Sequence, residues 1–251
     1  MFKKLEKINL VFFIAMMIII IVNIIIYLVN RNVDVNKDDI ERASNKISII
    51  IDPGHGGMDS GAVNQYGENE APINLEISKY LMTFLDATGF EVEMTRYDSR
   101  GLYDENGNKT IREKKNEDLH NRVKLINESN ADLVISVHLN SFTQSQYYGA
   151  QTFYKNKCEE SKEAAEIIQS NLRNILDKNN DRVPQSKRDV KVIDNSNIPI
   201  VLVECGFVSN AEEGKLLSTP TYQEKIAWAI YAGIIEYFEK TKASKWGLKA
   251  I

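Results

Sequence analysis

The chain is poor in cysteine and histidine, and this narrows its chemistry early. Cys158 and Cys205 are its two cysteines, and no Cys-x-x-Cys pair exists. Thiolate zinc clusters are therefore excluded. Cys205 directly follows Glu204 in an apolar run. A buried free thiol there is favoured over a disulfide with Cys158. No His-Glu-x-x-His stretch occurs among the three histidines, so that zinc-peptidase helix is absent too. Charge of one sign is also lacking. The 31 basic and 35 acidic residues leave a net charge of −4. Residues 1–45 hold six basic and five acidic side chains, which puts the remainder at −5. A mildly acidic body does not seek phosphate backbones, so a nucleic-acid partner is not expected. No internal repeat or low-complexity segment appears. The 251 residues, 43% of them apolar, suit one globular domain with an appendage.

The appendage is the N-terminus. Residues 10–29 are all apolar except Asn23. A twenty-residue helix spans about 30 Å, the hydrocarbon thickness of a bilayer. Lys3, Lys4 and Lys7 precede this run, and only Arg31 follows closely. The positive-inside rule then keeps residues 1–9 in the cytoplasm and exports the body. A cleaved signal peptide is the rival reading. The run exceeds a usual signal core and offers no small-x-small cleavage site, which favours an uncleaved transmembrane anchor. Residues 30–45 are polar and charged and read as a linker. The exported domain is expected over residues 46–240, with a C-terminal tail over 241–251.

Within the body, residues 46–52 form a β-branched run ending at Pro53-Gly54, a buried strand and a turn. Residues 70–88 place Ile73, Ile77, Tyr80, Leu81, Phe84 and Leu85 at helical spacing, with Gly89 closing the pattern. Residues 91–95 alternate as a strand. Residues 97–117 show no apolar period and read as a loop near a substrate or a protein partner. A helix over 118–129, strands over 131–138 and 149–154, and a helix over 161–176 follow. A strand over 189–193, a strand over 198–204 and a helix over 222–238 complete the pattern. Strands alternating with helices predict an α/β fold. It is a single domain with a mostly parallel, mixed central sheet and helices on both faces. Ligands bind such sheets beyond the carboxyl ends of the strands.

Three chemically active side chains fall near such ends: His55, His138 and Glu204. His55 lies in a glycine-rich loop, where a lone histidine is ordinarily just an exposed turn residue. A second histidine, His138, behind a buried strand favours a ligand pair. His120 sits in a polar helix and reads as surface. Glu70 opens a helix, where negative charge is favoured in any case. From spacing alone, its capping role and a metal role stand level. Glu204 ends the apolar Val201-Leu202-Val203. An ionised carboxylate there is costly unless paired or used. It could pair with Arg122 or Arg188, but a general base beside an activated water accounts for it better. Two imidazoles and a carboxylate can hold Zn²⁺ with one position open.

These residues resemble a known family. Asp52-Pro53-Gly54-His55-Gly56-Gly57, then Gly61-Ala62 and Glu70, are similar to the opening of the zinc-dependent N-acetylmuramoyl-L-alanine amidases. Thr95-Arg96, then Leu119, Arg122 and Asn127, then the stretch from Ala131 to Asn140, continue the likeness in order. Residues 199–210, PIVLVECGFVSN, resemble the segment bearing the catalytic glutamate, and Tyr222-Gln223 with Ile226-Ala227 fit the closing helix. The likeness covers residues 49 to about 238. Ser60 stands where proline is usual and Leu139 where alanine is usual; neither removes a ligand.

The resemblance implies one Zn²⁺ per chain, held by His55, Glu70 and His138, with Glu204 as catalytic base. Asn140 and Arg122 are expected at the substrate. The implied reaction cleaves the amide between N-acetylmuramic acid and L-alanine in peptidoglycan. A short, singly anchored member is similar to the germination-specific branch of spore formers. That branch removes stem peptides so that muramic δ-lactam can form in the spore cortex. The expected partners are glycan strands with stem peptides and the membrane, and an accessory protein outside the cytoplasm is left open. Another peptidoglycan zinc peptidase, such as a carboxypeptidase, or a non-catalytic wall binder are the competing readings. The order of the motifs disfavours the first and the intact site residues the second.

Overall fold

Strands buried on both sides read as continuous apolar runs, and three of them build the centre of one sheet. They are β1 (Ser48–Pro53), β3 (Leu133–Asn140) and β6 (Ile200–Phe207). The computed structural model describes residues 16–25, 27 and 46–246. It divides the chain into two compact units, Met1–Lys46 and Ile47–Ile251.

In the second unit, β2 (Glu91–Met94), β4 (Gln151–Lys155) and β5 (Gln185–Lys187) complete the sheet in the order β2-β1-β3-β6-β4-β5. All neighbours run parallel except β4 and β6, so the sheet is mixed. Successive side chains point to opposite faces of a strand. Ile49, Ile51, Leu133, Ile135, Val137, Val201 and Val203 accordingly join one apolar cluster. That face is covered by α1 (Glu70–Ala87), α3 (Glu159–Ile175) and α6 (Pro220–Trp246). Ile50, Val134, Ile200 and Leu202 join a smaller cluster on the other face. There α2 (Ile111–Glu128) supplies Ile126, and the one-turn α4 (Lys191–Asn195) supplies Val192 and Ile193. A short α5 (Ala211–Leu217) follows β6. The predicted α/β architecture is present, with helices on both faces.

Three local expectations need correction. The segment expected as a loop to residue 117 turns helical at Ile111. A capping box causes this. Thr110 accepts a bond from the Glu113 amide, and the Glu113 carboxylate accepts one from the Thr110 amide. The strand expected at 189–193 is absent. Asp189 takes a left-handed turn at φ 62°, and α4 follows. Val192 and Ile193 are adjacent and both buried, which a helical turn allows and a one-sided strand does not. The strand of that region is β5, whose polar Gln-Ser-Lys sequence carries no apolar signal. The final helix also runs further than expected, to Trp246.

In the first unit, residues 16–25 and residue 27 are helical. Among the described residues no helix is long and apolar enough to cross a membrane. Nine of the twenty residues of the anchor expected over 10–29, residues 10–15, 26, 28 and 29, lie outside the described residues, as does the whole linker expected over 30–45.

Candidate metal centre

The site forms where β1 and β3 end and α1 begins. Past Pro53 the chain turns through Gly54 to His55, whose φ of 60° is left-handed and strained for a side-chain-bearing residue. Two buried arginines hold this turn by its carbonyls. Arg96 donates to the carbonyls of Pro53 at 3.0 Å, Gly54 at 2.8 Å and Ala71 at 2.9 Å. Arg122 donates to the carbonyls of Pro53 and His55, to Asp52 at 2.8 Å and to Asp118 at 2.7 Å. Burial raises the Asp52 carboxyl, but Arg122 and the Thr95 hydroxyl outweigh it and hold it below the usual carboxylate range. Arg96, buried and close to Arg122, is brought down to about 10.

Gly54 must be small because a Cβ there would overlap the His138 ring. Gly61, at φ 68°, lets the loop pass over Glu70; its amide neighbour Ala62 donates to Glu70 Oε2 at 2.9 Å. Glu70 is 2% exposed and lies where three elements meet. Its Oε1 is 3.2 Å from His55 Nε2, 3.2 Å from His138 Nδ1 and 2.9 Å from the Leu139 amide. One donor atom from each of His55, Glu70 and His138 lies within 4.8 Å of the other two. The imidazoles meet edge to face, with centroids 5.0 Å apart.

The charges around these groups are strongly coupled. Burial lowers the His55 imidazole, but Asp59 and Glu70 outweigh it and lift it to about 9. Burial raises Glu70, but the two imidazoles pull it well below the usual carboxylate range. Asp59 Oδ2 sits 3.0 Å from His55 Nδ1 and is itself paired with Lys115 at 2.9 Å. That contact fixes the ring so that Nε2 faces Glu70. A carboxylate behind a histidine is the usual support for a metal-facing imidazole. The donor set fits a divalent cation of the zinc type: two imidazole nitrogens and a carboxylate oxygen, converging from separate elements.

Glu204 comes from β6. It is the direct parallel partner of His138 in the strand register, so both side chains leave the same face of the sheet. It is 7% exposed. Its Oε1 pairs with Lys187 at 2.9 Å. Among the described residues, two buried side-chain atoms have no hydrogen-bond partner: Glu204 Oε2 and Asn74 Oδ1. An unmatched carboxylate oxygen beside a cluster of metal-type donors is where a proton acceptor belongs.

Residues 49–236 match the family model described as N-acetylmuramoyl-L-alanine amidase. The chain belongs to this family. The germination-specific N-acetylmuramoyl-L-alanine amidase of Bacillus subtilis is 42% identical over 191 residues, 76% of this chain and 79% of that protein. The structure of the CwlD amidase from Clostridioides difficile in complex with the GerS lipoprotein is similar at a TM-score of 0.76. Its identity is 48%, over 78% of this chain and 100% of the other. An N-acetylmuramoyl-L-alanine amidase from Clostridium difficile 630 matches at a TM-score of 0.66 and 29% identity, over 79% and 99%.

In this amidase three of the four residues singled out in the sequence cluster and the fourth, Glu204, is the strand neighbour of His138, while Glu70 points inward to the histidines rather than outward as a capping charge. Arg122 is placed differently from its expected role at the substrate. At 2% exposure it lies behind the His55 turn, with its guanidinium spent on Asp52, Asp118 and backbone carbonyls. It supports the site and cannot touch a ligand. Nor is it the partner of Glu204, and neither is Arg188; Lys187 takes that place. Asn140 is half-buried, two residues beyond His138. His120 is exposed, and both cysteines are free. Residues 97–110 pack beside the site: Tyr103 Oη accepts from the Met58 amide at 2.9 Å, and the Gly57 amide donates to Ser99 at 2.6 Å. Asp59, Asn74 and Lys187 escaped the sequence reading. Only Asp59 carried a signal, a carboxylate four residues after His55 in the same loop.

Proposed function

We propose that this amidase hydrolyses the bond between N-acetylmuramic acid and L-alanine, using one zinc ion held by His55, Glu70 and His138. The observation that carries the proposal is the register of β3 and β6, which sets Glu204 beside His138 with one carboxylate oxygen unmatched. Zinc, when bound, supplies Lewis-acid polarisation of the amide carbonyl and lowers the pKa of a water to about 7. The chain's own groups do the rest. Glu204 Oε2 takes a proton from the attacking water and delivers it to the departing alanine nitrogen. An amide nitrogen leaves poorly unless it is protonated. Asp59 keeps the His55 ring oriented, and Asn140, half-buried two residues beyond His138, is proposed as a substrate contact.

Digestion of purified peptidoglycan is expected to yield stem peptides with a new N-terminal alanine and glycans whose lactyl groups are free. A chelator is expected to stop this and added zinc to restore it. Release of D-alanine alone, read by muropeptide mass, would instead identify a carboxypeptidase.

The proposed place of action is the spore cortex, by likeness to the germination-specific relative, with the catalytic unit on the outer side of a membrane. Residues 10–29 are proposed as the anchor on hydropathy and flanking charge. The full chain is expected to remain in membranes through an alkaline carbonate wash, while a chain starting at residue 46 is expected in the supernatant. Equal partition of both would remove the anchor. A lipoprotein outside the cytoplasm is proposed as a partner, because the CwlD amidase occurs in complex with one.

A further inference from the structure

The catalytic centre described above leaves one charged neighbour without a role. Lys187 sits on β5, the outermost strand, two strands away from β6. Its backbone pairs with Lys155 of β4, and β4 in turn sets Gln151 against Glu204. Lys187 reaches back across β4 to the base. On the way its ammonium lies 4.3 Å from the centre of the Phe153 ring. It ends 2.9 Å from Glu204 Oε1.

An ordinary exposed ion pair would carry little meaning, since solvent screens it and two long side chains must be held to make it. This pair differs in three respects. The Glu204 side chain is only 10% exposed and that of Lys187 only 30%. An aromatic face holds the lysine from below, which adds a cation–π attraction. The two oxygens of Glu204 are also unequal: Oε1 is bound to Lys187, and Oε2 has no hydrogen-bond partner among the described residues.

We propose that Lys187 is a positioning residue for the general base, gripping Glu204 Oε1 across the Phe153 ring so that Oε2 alone is presented to the reacting water. This rests on the amidase reading. Lys187 acts through Glu204 and needs no contact with substrate. Glutamate has rotamer freedom that a base must lose before proton transfer. The ion pair removes that freedom from one end. It also sets an ammonium group behind the carboxylate, on the side away from Oε2.

The test uses the full chain and three variants, Lys187→Met, Lys187→Arg and Glu204→Gln. The first readout needs no turnover and no metal. In zinc-free protein, ¹⁵N spectra of lysine ammonium groups are expected to show a Lys187 signal protected from rapid exchange. Its identity is fixed by its loss in Lys187→Met. In Glu204→Gln that signal is expected to shift or broaden away. The second readout is kinetic, on a soluble muropeptide. Lys187→Met is expected to lose about 10- to 100-fold in kcat, the scale of a displaced catalytic group, with KM nearly unchanged. Lys187→Arg keeps the charge over Phe153 and is expected to recover most of the loss. A Lys187 signal indifferent to Glu204→Gln overturns the proposal. So does a kcat unchanged in Lys187→Met, or an arginine variant as impaired as the methionine one. If the wild-type chain released no alanine-ended peptide while the signal still depended on Glu204, the ion pair would stand and the amidase reading would fall.

Discussion

Replacing Glu204 with alanine is expected to lower kcat by about 10³-fold, within the range that a positioned acid–base group contributes. Zinc content is expected to stay at one per chain. The two expectations separate because the site divides its labour between elements. His55 and His138 gather around Glu70 Oε1, with contacts at 3.2 Å to each imidazole. Glu204 stands one strand away and makes none of these contacts. Its removal takes the proton carrier and leaves the donor cluster in place. Lys187, with its side chain 30% exposed, can be rehydrated once its partner is gone, so the fold is expected to survive. Muropeptide kinetics, metal analysis and a thermal melt on the same sample check all three statements. Retention of even a tenth of wild-type turnover would assign the proton transfer to another group. Loss of zinc would move Glu204 into the donor set.

Arg122→Met is expected to destabilise the protein by about 3–5 kcal/mol, the cost of breaking a buried ion pair from one side. Arg122 and Asp52 are respectively 2% and 1% exposed along their side chains. Losing the guanidinium leaves Asp52 charged in the interior, with only the Thr95 and Ser136 hydroxyls, at 2.7 and 2.8 Å, to satisfy it. It also frees the His55 carbonyl and one hold on the Pro53 carbonyl, so the His55 turn loosens with the core. Urea melts read the first effect and zinc titration the second. The acid limb follows from the same pair. The folded-state pKa of Asp52 is depressed, so its contribution is complete above the unfolded value of about 4. It is lost as pH falls through the folded value. The variant is expected to show this loss already at neutral pH and to decline less steeply below pH 4. An Arg122→Met protein that melts like wild type would make the clamp incidental.

The parts of this molecule that could be read in the sequence are those where burial and polarity collide. β3 and β6 announce themselves as apolar runs, and His138 and Glu204 are conspicuous because such runs seldom carry them. Neighbouring positions in the register then follow from the fold, not from spacing. Glu70 was ambiguous for a physical reason. A carboxylate in a first helical turn is favoured whichever way it faces, and only the return of the Gly61 loop over it turns Glu70 inward to the histidines. Arg122 was misjudged because a guanidinium in a polar-looking helix gives no sign that its partners are carbonyls of a distant turn. Lys187 was invisible. A three-residue polar strand has no period to detect, and its role depends on reaching across a neighbour. The start of α2 was legible after all, in Thr110 and Glu113, and was hidden only by the charged sequence around it.

The two borders of the sheet are short, four residues in β2 and three in β5. β2 alternates glutamates outward, and β5 is followed directly by Arg188. Open backbone at a sheet border invites another chain to add a strand, and brevity with charge is how proteins discourage it. A peptidoglycan hydrolase built this way keeps its rims from zipping together with those of other copies.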